Sequence, residues 1–456
     1  MIKPVKYYST NLRAAEVGFR EALLKGIAPD GGLYMPKEIP VIPAELIRKF
    51  SELEYYEIAY QVTRHFLQGQ ISDVELLAIT KDAYNYEVPL EHVYERKYVM
   101  RLDQGPTASF KDFAARMMGR LMQYYLDKEK RELLILTATS GDTGSAIANA
   151  FYGLDNIECV VLFPEKEVTD RQRKQMTTLG KNVQIVGLDA KFDDCQYLVK
   201  RAFADPDLDF LHLSSANSIN IGRILPQIVY YFYAYARLSN GAEDKAIFSV
   251  PSGNFGDMMG GMIAWKMGLP VEKFVIACNE NDEFPDFVHT GHYNKIEPSK
   301  NCLSSAMNVG HPSNLSRFVA LYGGVMDEKG HINKAPDMEK IRQEVFTVSI
   351  SDSETKKMIA RAYEEHKLLL EPHGSVGWYG LKKYLTENPG QNTPEQLCVS
   401  LETAHPAKFP QQIQEILKID PALPPSLVGL EEKEESYDHL KNEYDFFKDY
   451  LIRNYS

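Results

Sequence analysis

The sequence predicts an α/β protein with open, mostly parallel sheets and helices on both faces, preceded by a mainly helical region. Three observations point there. From about Leu133 onward, short apolar runs rich in Val, Ile, Leu or Phe recur, as strands buried on both faces require. Helical stretches separate them, the alternation of right-handed βαβ units. Several runs lead into loops rich in glycine and hydroxyl residues, and ligands of such sheets bind beyond the carboxyl ends of the strands.

Taken in order, the first hundred residues read as largely helical. An amphipathic stretch from Ala14 to Lys25 stops at Gly26, and Pro29-Asp30-Gly31-Gly32, Pro36 and Pro40 form a turn-rich patch. Val41–Gln68 and Ser72–Tyr86 again have helical periodicity. The predicted strands are Leu133–Thr137, Ile157–Phe163, Val183–Val186, Ile247–Val250, Phe274–Ala277 and Leu397–Leu401. Helices are expected at Gly144–Gly153, Phe192–Phe203 and Ile221–Leu238. After Pro425 comes a charge run, Glu431-Glu432-Lys433-Glu434-Glu435, read as a solvated turn before a helix from about Tyr437 to Arg453 packed back on the body. The expected division is therefore a helical domain at 1–98, a core at 99–425 and a helical tail at 426–456.

Composition narrows the function. The chain has 456 residues, with 51 Lys and Arg against 63 Asp and Glu, a net charge of -12. That excludes a general nucleic-acid binder, which needs a basic face. An anionic substrate remains compatible, but only with a local cluster of donors. The five cysteines form no C-x-x-C pair, the pattern of reduced thiols in a cytosolic protein without a zinc site or disulfides. His289 and His292 sit in a polar turn with no third ligand nearby, so no metal is expected. The N-terminus has no secretory apolar region, and no run approaches the roughly 20 apolar residues of a membrane span. The expectation is a soluble cytoplasmic protein with no membrane or nucleic-acid partner, either monomer or homodimer.

The loops carry the chemistry. Pro106-Thr107-Ala108-Ser109-Phe110-Lys111 puts one lysine at the expected first turn of a helix, where the helix N-terminus disfavours a second positive charge. Such an amine suits covalent chemistry with an aldehyde. Thr137 to Gly144 offers hydroxyls at Thr139, Ser140 and Thr143, fitting either a carboxylate or phosphate site or an ordinary capped helix start. Pro251-Ser252-Gly253-Asn254-Phe255-Gly256-Asp257 lets backbone amides converge on an anion, yet no Gly-Lys-Ser/Thr follows. Nucleotide binding is thus poorly supported, and a phosphate on another cofactor is open. Ser214 to Arg223 crowds donors, including Asn217 and Ser218, ahead of an apolar helix. Arg223 there serves an anion or a structural salt bridge. Leu401-Glu402-Thr403-Ala404-His405-Pro406-Ala407-Lys408-Phe409 adds a hydroxyl, an imidazole and an ammonium, and His405 reads as structural or catalytic.

Together with Glu371-Pro372-His373-Gly374 and Gly31-Gly32-Leu33-Tyr34, these motifs resemble threonine synthase, in the long-chain branch of bacteria and fungi. The resemblance runs from about residue 10 to 420, with the motifs in the family's order. It implies the fold-type II architecture shared with the tryptophan synthase β subunit, and pyridoxal 5'-phosphate as cofactor. By the same resemblance Lys111 holds the cofactor as a Schiff base and acts as the base. Gly253, Asn254, Phe255, Gly256 and Asp257 form the cofactor phosphate cup, and Thr403 meets the pyridine nitrogen. Thr139, Ser140 and Thr143 fall in the amino-acid loop, and Asn217, Ser218 and Arg223 match positions that hold the phosphate of O-phospho-L-homoserine.

The implied reaction is β,γ-elimination of phosphate and addition of water at Cβ, giving L-threonine. A mobile subdomain at about 133–223 is expected to close the site and keep the unsaturated intermediate from stray hydrolysis. The implied alternative is a phospho-lyase that releases 2-oxobutyrate and phosphate. A binding protein without catalysis is a further rival, and retention of Lys111, Arg223 and both glycine loops argues against it. Glu402 departs from the glycine expected there, which puts a carboxylate near the ring edge. The loop before Lys111 begins Asp103-Gln104-Gly105 and lacks the asparagine of shorter relatives, so no contact to the ring hydroxyl is assigned.

Overall fold

The computed structural model describes residues 4–139, 141–241 and 243–456. Ser140 lies outside them. Two sheets organise the chain. The larger has six strands, in the order Val345–Ser349, Val271–Cys278, Ala246–Pro251, Cys398–Glu402, Lys97–Arg101 and Leu90–Tyr94. All pair in parallel except the Leu90–Tyr94 edge. The second has five parallel strands, Asp438–Leu440, Val183–Leu188, Ile157–Pro164, Leu133–Ala138 and Leu213–Ser214. Its central strands are buried almost throughout, which is why they read as unbroken apolar runs.

Several elements differ from the sequence reading. The amphipathic stretch from Ala14 is helical only over Phe19–Lys25, because Val17–Gly18 pairs with Lys6–Ser9 in a three-stranded antiparallel sheet. Val41–Gln68 divides into Ala44–Lys49 and Tyr55–Leu67, the second starting where Glu54 and Glu57 form a reciprocal cap. Ile221–Leu238 is interrupted at Leu225–Ile228, a tighter turn around Pro226, whose ring leaves no N–H for the helix. Strands Leu90–Tyr94 and Lys97–Arg101 belong to the six-stranded sheet, although their beginnings fall in the stretch read as helical. In the tail, Asp438–Leu440 adds an edge to the second sheet before helix Tyr444–Tyr455, which buries Phe447 and Leu451 against it.

The N-terminal helices brace the helix that begins at Lys111. Phe113, fully buried, meets Tyr55 at 5.4 Å and Tyr230 at 5.7 Å between ring centroids. Tyr84 donates its hydroxyl to the Phe113 carbonyl at 3.1 Å. Aromatic pairs of this kind contribute about 0.5–1.5 kcal/mol each beyond their buried area. They fix the helix whose first residue is Lys111.

Candidate active site

The loops singled out in the sequence follow strands Lys97–Arg101, Leu133–Ala138, Leu213–Ser214, Ala246–Pro251 and Cys398–Glu402, all at their carboxyl ends. The Lys111 loop is held from several sides. Asp112 accepts from the Thr107 amide at 2.8 Å and its hydroxyl at 2.6 Å, and Ala108 takes a left-handed φ of 53°. Phe110 N–H donates to the Thr403 carbonyl at 2.9 Å, and His405 N–H to the Ala108 carbonyl at 3.0 Å. Thr403 is thereby brought beside Lys111 although it lies near the other end of the chain.

Lys111 Nζ makes no hydrogen bond among the described residues; its nearest carboxylate is Asp142 Oδ2 at 4.0 Å. Asp142 instead pairs through Oδ1 with Lys408 Nζ at 2.6 Å and accepts from Gln172 at 2.9 Å. Burial lowers the Lys111 pKa, Asp142 works against that, and Lys408 and Arg223 add to the lowering. Burial alone would raise the Asp142 carboxyl, but Lys408 and Lys111 outweigh it and hold it below the usual carboxylate range.

Arg223 is buried and donates Nη1 to the Ala216 carbonyl at 2.7 Å, while its Nε has no partner. No carboxylate lies within salt-bridge range of it among the described residues, so the salt-bridge reading fails. Burial pushes its pKa down to about 10, opposed by Asp112 and Tyr230. Nearby, Asn217 Oδ1 is also buried without a partner. Ser218 Oγ accepts from Asn254 Nδ2 at 2.6 Å, which ties the Ser214–Arg223 segment to the glycine loop.

In that glycine loop, none of the backbone N–H groups from Gly253 to Asp257 donates to another group among the described residues. They surround the start of helix Gly256–Lys266, where Phe255 takes a left-handed φ of 59°. A Cβ on Gly253 would stand 2.7 Å from Met307 Cα, so only glycine lets the loop pass there. The Asp257 side chain turns away from the loop and accepts from the Tyr230 and Tyr231 hydroxyls at 2.5 and 2.7 Å. Its Oδ2 is buried without a partner among the described residues. Burial raises its pKa to about 6 against those two hydrogen bonds and Lys111.

Two other hydroxyl positions divide. Thr139 spends its Oγ1 on the amides of Gly141 and Gly144, at 2.9 and 2.7 Å, and shapes the loop. Thr143 lies half-buried in the first turn of helix Asp142–Phe151. His405 caps its own loop, accepting from the Ala407 amide at 3.1 Å.

Sequence reasoning missed Asp142 and Lys408 as site residues, although both stand inside motifs it had marked. The hydroxyls of the Thr137–Gly144 loop carry its local signal, while the partner that marks Asp142, Lys408, is far away in the chain. The pairing of Glu371 with His373 Nδ1 at 2.5 Å was also missed, as was the enclosure of Glu402 behind it. Glu402 Oε1 accepts from the Glu371 amide at 2.9 Å, while Oε2 is buried without a partner against Gly374. Burial raises its pKa well above the usual range against Arg101, and Glu371 and Asp103 raise it further.

Residues 89–399 match the pyridoxal-phosphate dependent enzyme family, 6–84 the threonine synthase N terminus and 376–451 the threonine synthase C-terminal region. Threonine synthase of Pseudomonas aeruginosa is 36% identical over 462 residues, covering 96% of each chain. The chain belongs to the threonine synthase family. A structure of pyridoxal-phosphate-bound threonine synthase from Brucella melitensis superposes with a TM-score of 0.91 at 35% identity, covering 99% of each chain. That of the yeast threonine synthase gives 0.90 at 30%, covering 98% of each.

As a member of the threonine synthase family, the chain is a pyridoxal-phosphate-dependent lyase acting on a carbon–oxygen bond. The groups present fit that cofactor: a half-buried lysine without a hydrogen-bond partner among the described residues and a run of unengaged amides. Among the described residues no helix is long and apolar enough to cross a membrane.

Proposed function

We propose that this chain converts O-phospho-L-homoserine and water to L-threonine and phosphate, with Lys111 as its base. The observation that carries this reading is Lys111 itself, whose Nζ makes no hydrogen bond among the described residues and lies 4.0 Å from Asp142, a carboxylate already paired with Lys408. The free amides of Gly253 to Asp257 suit the cofactor phosphate, and Arg223 with Asn217 and Ser218 suits the substrate phosphate. Thr139, Ser140 and Thr143 are assigned to the substrate's amino-acid end, Thr139 by shaping the loop. Thr403 is assigned to the ring nitrogen, where a hydroxyl leaves that nitrogen largely neutral.

Bound pyridoxal phosphate supplies an electron sink at the substrate's Cα. The chain's own residues do the rest. Lys111 Nζ takes a proton from Cα, gives it up, and then takes one from Cβ while Arg223 steadies the departing phosphate at Cγ; one proton goes back to Cα and one to Cγ, and water gives OH to Cβ and its other proton to the phosphate. Closure of the segment at about 133–223 excludes other water from the site.

The domain division at 98 and 425, a cytoplasmic location and a monomeric or homodimeric state belong to the same reading. Full-length similarity to threonine synthases supports threonine over 2-oxobutyrate as the product. The test is a product assay from phosphohomoserine with the wild type and Lys111→Ala. Threonine from the wild type and no turnover by the variant are expected; 2-oxobutyrate as the main product, or an active variant, would overturn the proposal.

A further inference from the structure

Two ammonium groups in this site compete for one carboxylate. Asp142 gives Oδ1 to Lys408 at 2.6 Å, and its Oδ2 stays 4.0 Å from Lys111, beyond a hydrogen bond. Lys408 has no exposed surface at all, and Asp142 is 4% exposed. Lys408 is held in place by a second acceptor, the Thr107 carbonyl at 2.8 Å, in the loop that leads to Lys111. Gln172 on helix Asp170–Thr177 holds Asp142 from the other side at 2.9 Å.

A buried ion pair of this kind is expensive to assemble and often no more stabilising than an apolar replacement. A role in setting the charge of a neighbour gives it a physical reason. We propose that Lys408 is a positioning residue that engages Asp142 and so leaves Lys111 as an uncharged amine, ready to capture an aldehyde and to accept a proton. The inference rests on Lys111 being the cofactor lysine.

The charge balance around Lys111 follows from its neighbours. Asp142 comes from helix Asp142–Phe151, Lys408 from the turn Pro406–Lys408, and Arg223 from helix Ile221–Ile224. Glu371, at the start of helix Pro372–Glu387, favours the charged form of Lys111, and Asp257, in helix Gly256–Lys266, interacts with its charge. Asp257 is bonded to two tyrosines, and Glu371 to His373 and the amides of its own helix. Asp142 is thus the carboxylate whose engagement decides how strongly Lys111 is held as a cation. Without Lys408 it would swing to Lys111 and favour the ammonium; without Asp142, Lys408 and Arg223 would repel a charge on Lys111 still more.

The two removals therefore act in opposite directions, which a merely structural pair would not do. The test follows the visible band formed when pyridoxal phosphate is added to the full chain stripped of it, across about pH 6 to 10. Capture needs the neutral amine, so its rate rises through the Lys111 pKa. Lys408→Met should move that midpoint up by about one unit, a roughly tenfold slower capture below it, and Lys408→Arg should restore it. Asp142→Asn should move it down, and the double variant Asp142→Asn with Lys408→Met should fall below Lys408→Met alone. If Lys408→Met does not fold, the Asp142→Asn shift and the Lys408→Arg profile still decide. Midpoints unchanged from the wild type, or shifted the same way by both removals, would overturn the inference. A band that forms as well in Lys111→Ala as in the wild type would instead sink the functional reading on which it rests.

Discussion

Asn254 donates from Nδ2 to Ser218 Oγ at 2.6 Å and accepts from the Ser313 amide through Oδ1 at 2.7 Å. One side chain therefore joins the loop of free amides to the segment that carries Arg223. If the first holds the cofactor phosphate and the second the substrate phosphate, Asn254→Ala should weaken both. About a tenfold loss is expected in cofactor affinity and a similar rise in KM, each from one or two lost hydrogen bonds. Titration with pyridoxal phosphate and steady-state kinetics check this; a cofactor defect with unchanged KM would show that the link carries nothing.

Among the described residues, Arg223 has a buried Nε with no partner and no carboxylate within salt-bridge range to be released from. An incoming phosphate gains a charge-assisted hydrogen bond without breaking an ion pair. Arg223→Met should lower kcat/KM about 10- to 100-fold, equivalent to about 1.5–3 kcal/mol. Inhibition by inorganic phosphate should weaken in parallel, and an unaltered phosphate inhibition constant would reject the assignment.

Asp257 has its pKa raised to about 6 from an ordinary 3.8. Between about pH 4 and 6 the folded chain keeps a proton that the unfolded chain has released. Stability contributed by this group is therefore full below about pH 4 and lost as pH rises through 6, on the order of 3 kcal/mol. Asp257→Asn can still accept from Tyr230 and Tyr231 but cannot ionise. Thermal unfolding from pH 4 to 7 should show a flatter profile in the variant, and an identical slope would contradict the account.

Burial, with Glu371 and Asp103 beside it, pushes the Glu402 carboxyl well above the usual carboxylate range, which favours its neutral form, and Oε1 accepts from the Glu371 amide. Glu402→Gln keeps shape and acceptor, so unfolding free energy should change by less than about 0.5 kcal/mol near pH 7. Glu402→Ala strands that amide and should cost about 1–3 kcal/mol. Denaturant melts of the two variants measure the difference; a large loss in Glu402→Gln would mean that the carboxyl is ionised.

The comparison of sequence with structure divides along chain distance. Periodicity locates the six strands from Leu133 onward and the helix Phe192–Phe203, because buried parallel strands and amphipathic helices write their pattern locally. The short strands Lys6–Ser9 and Asp438–Leu440 left no such trace, since their pairing depends on partners elsewhere. The glycine loops, Arg223 and the lysine at a helix start were visible as motifs.

What the sequence by itself determined, then, was the α/β class, the position of each ligand-facing loop and the lysine at the start of its helix. Glycine, hydroxyl and helix-start patterns act over a few residues and are read from them. Tertiary structure alone decided which charge Lys111 faces. Thr107 and Lys408 are 301 residues apart, and only the folding of both sheets sets Lys408 against Asp142. It also turned the Asp257 carboxylate away from the loop and the Thr139 hydroxyl inward, because each found buried donors that no local pattern could reveal.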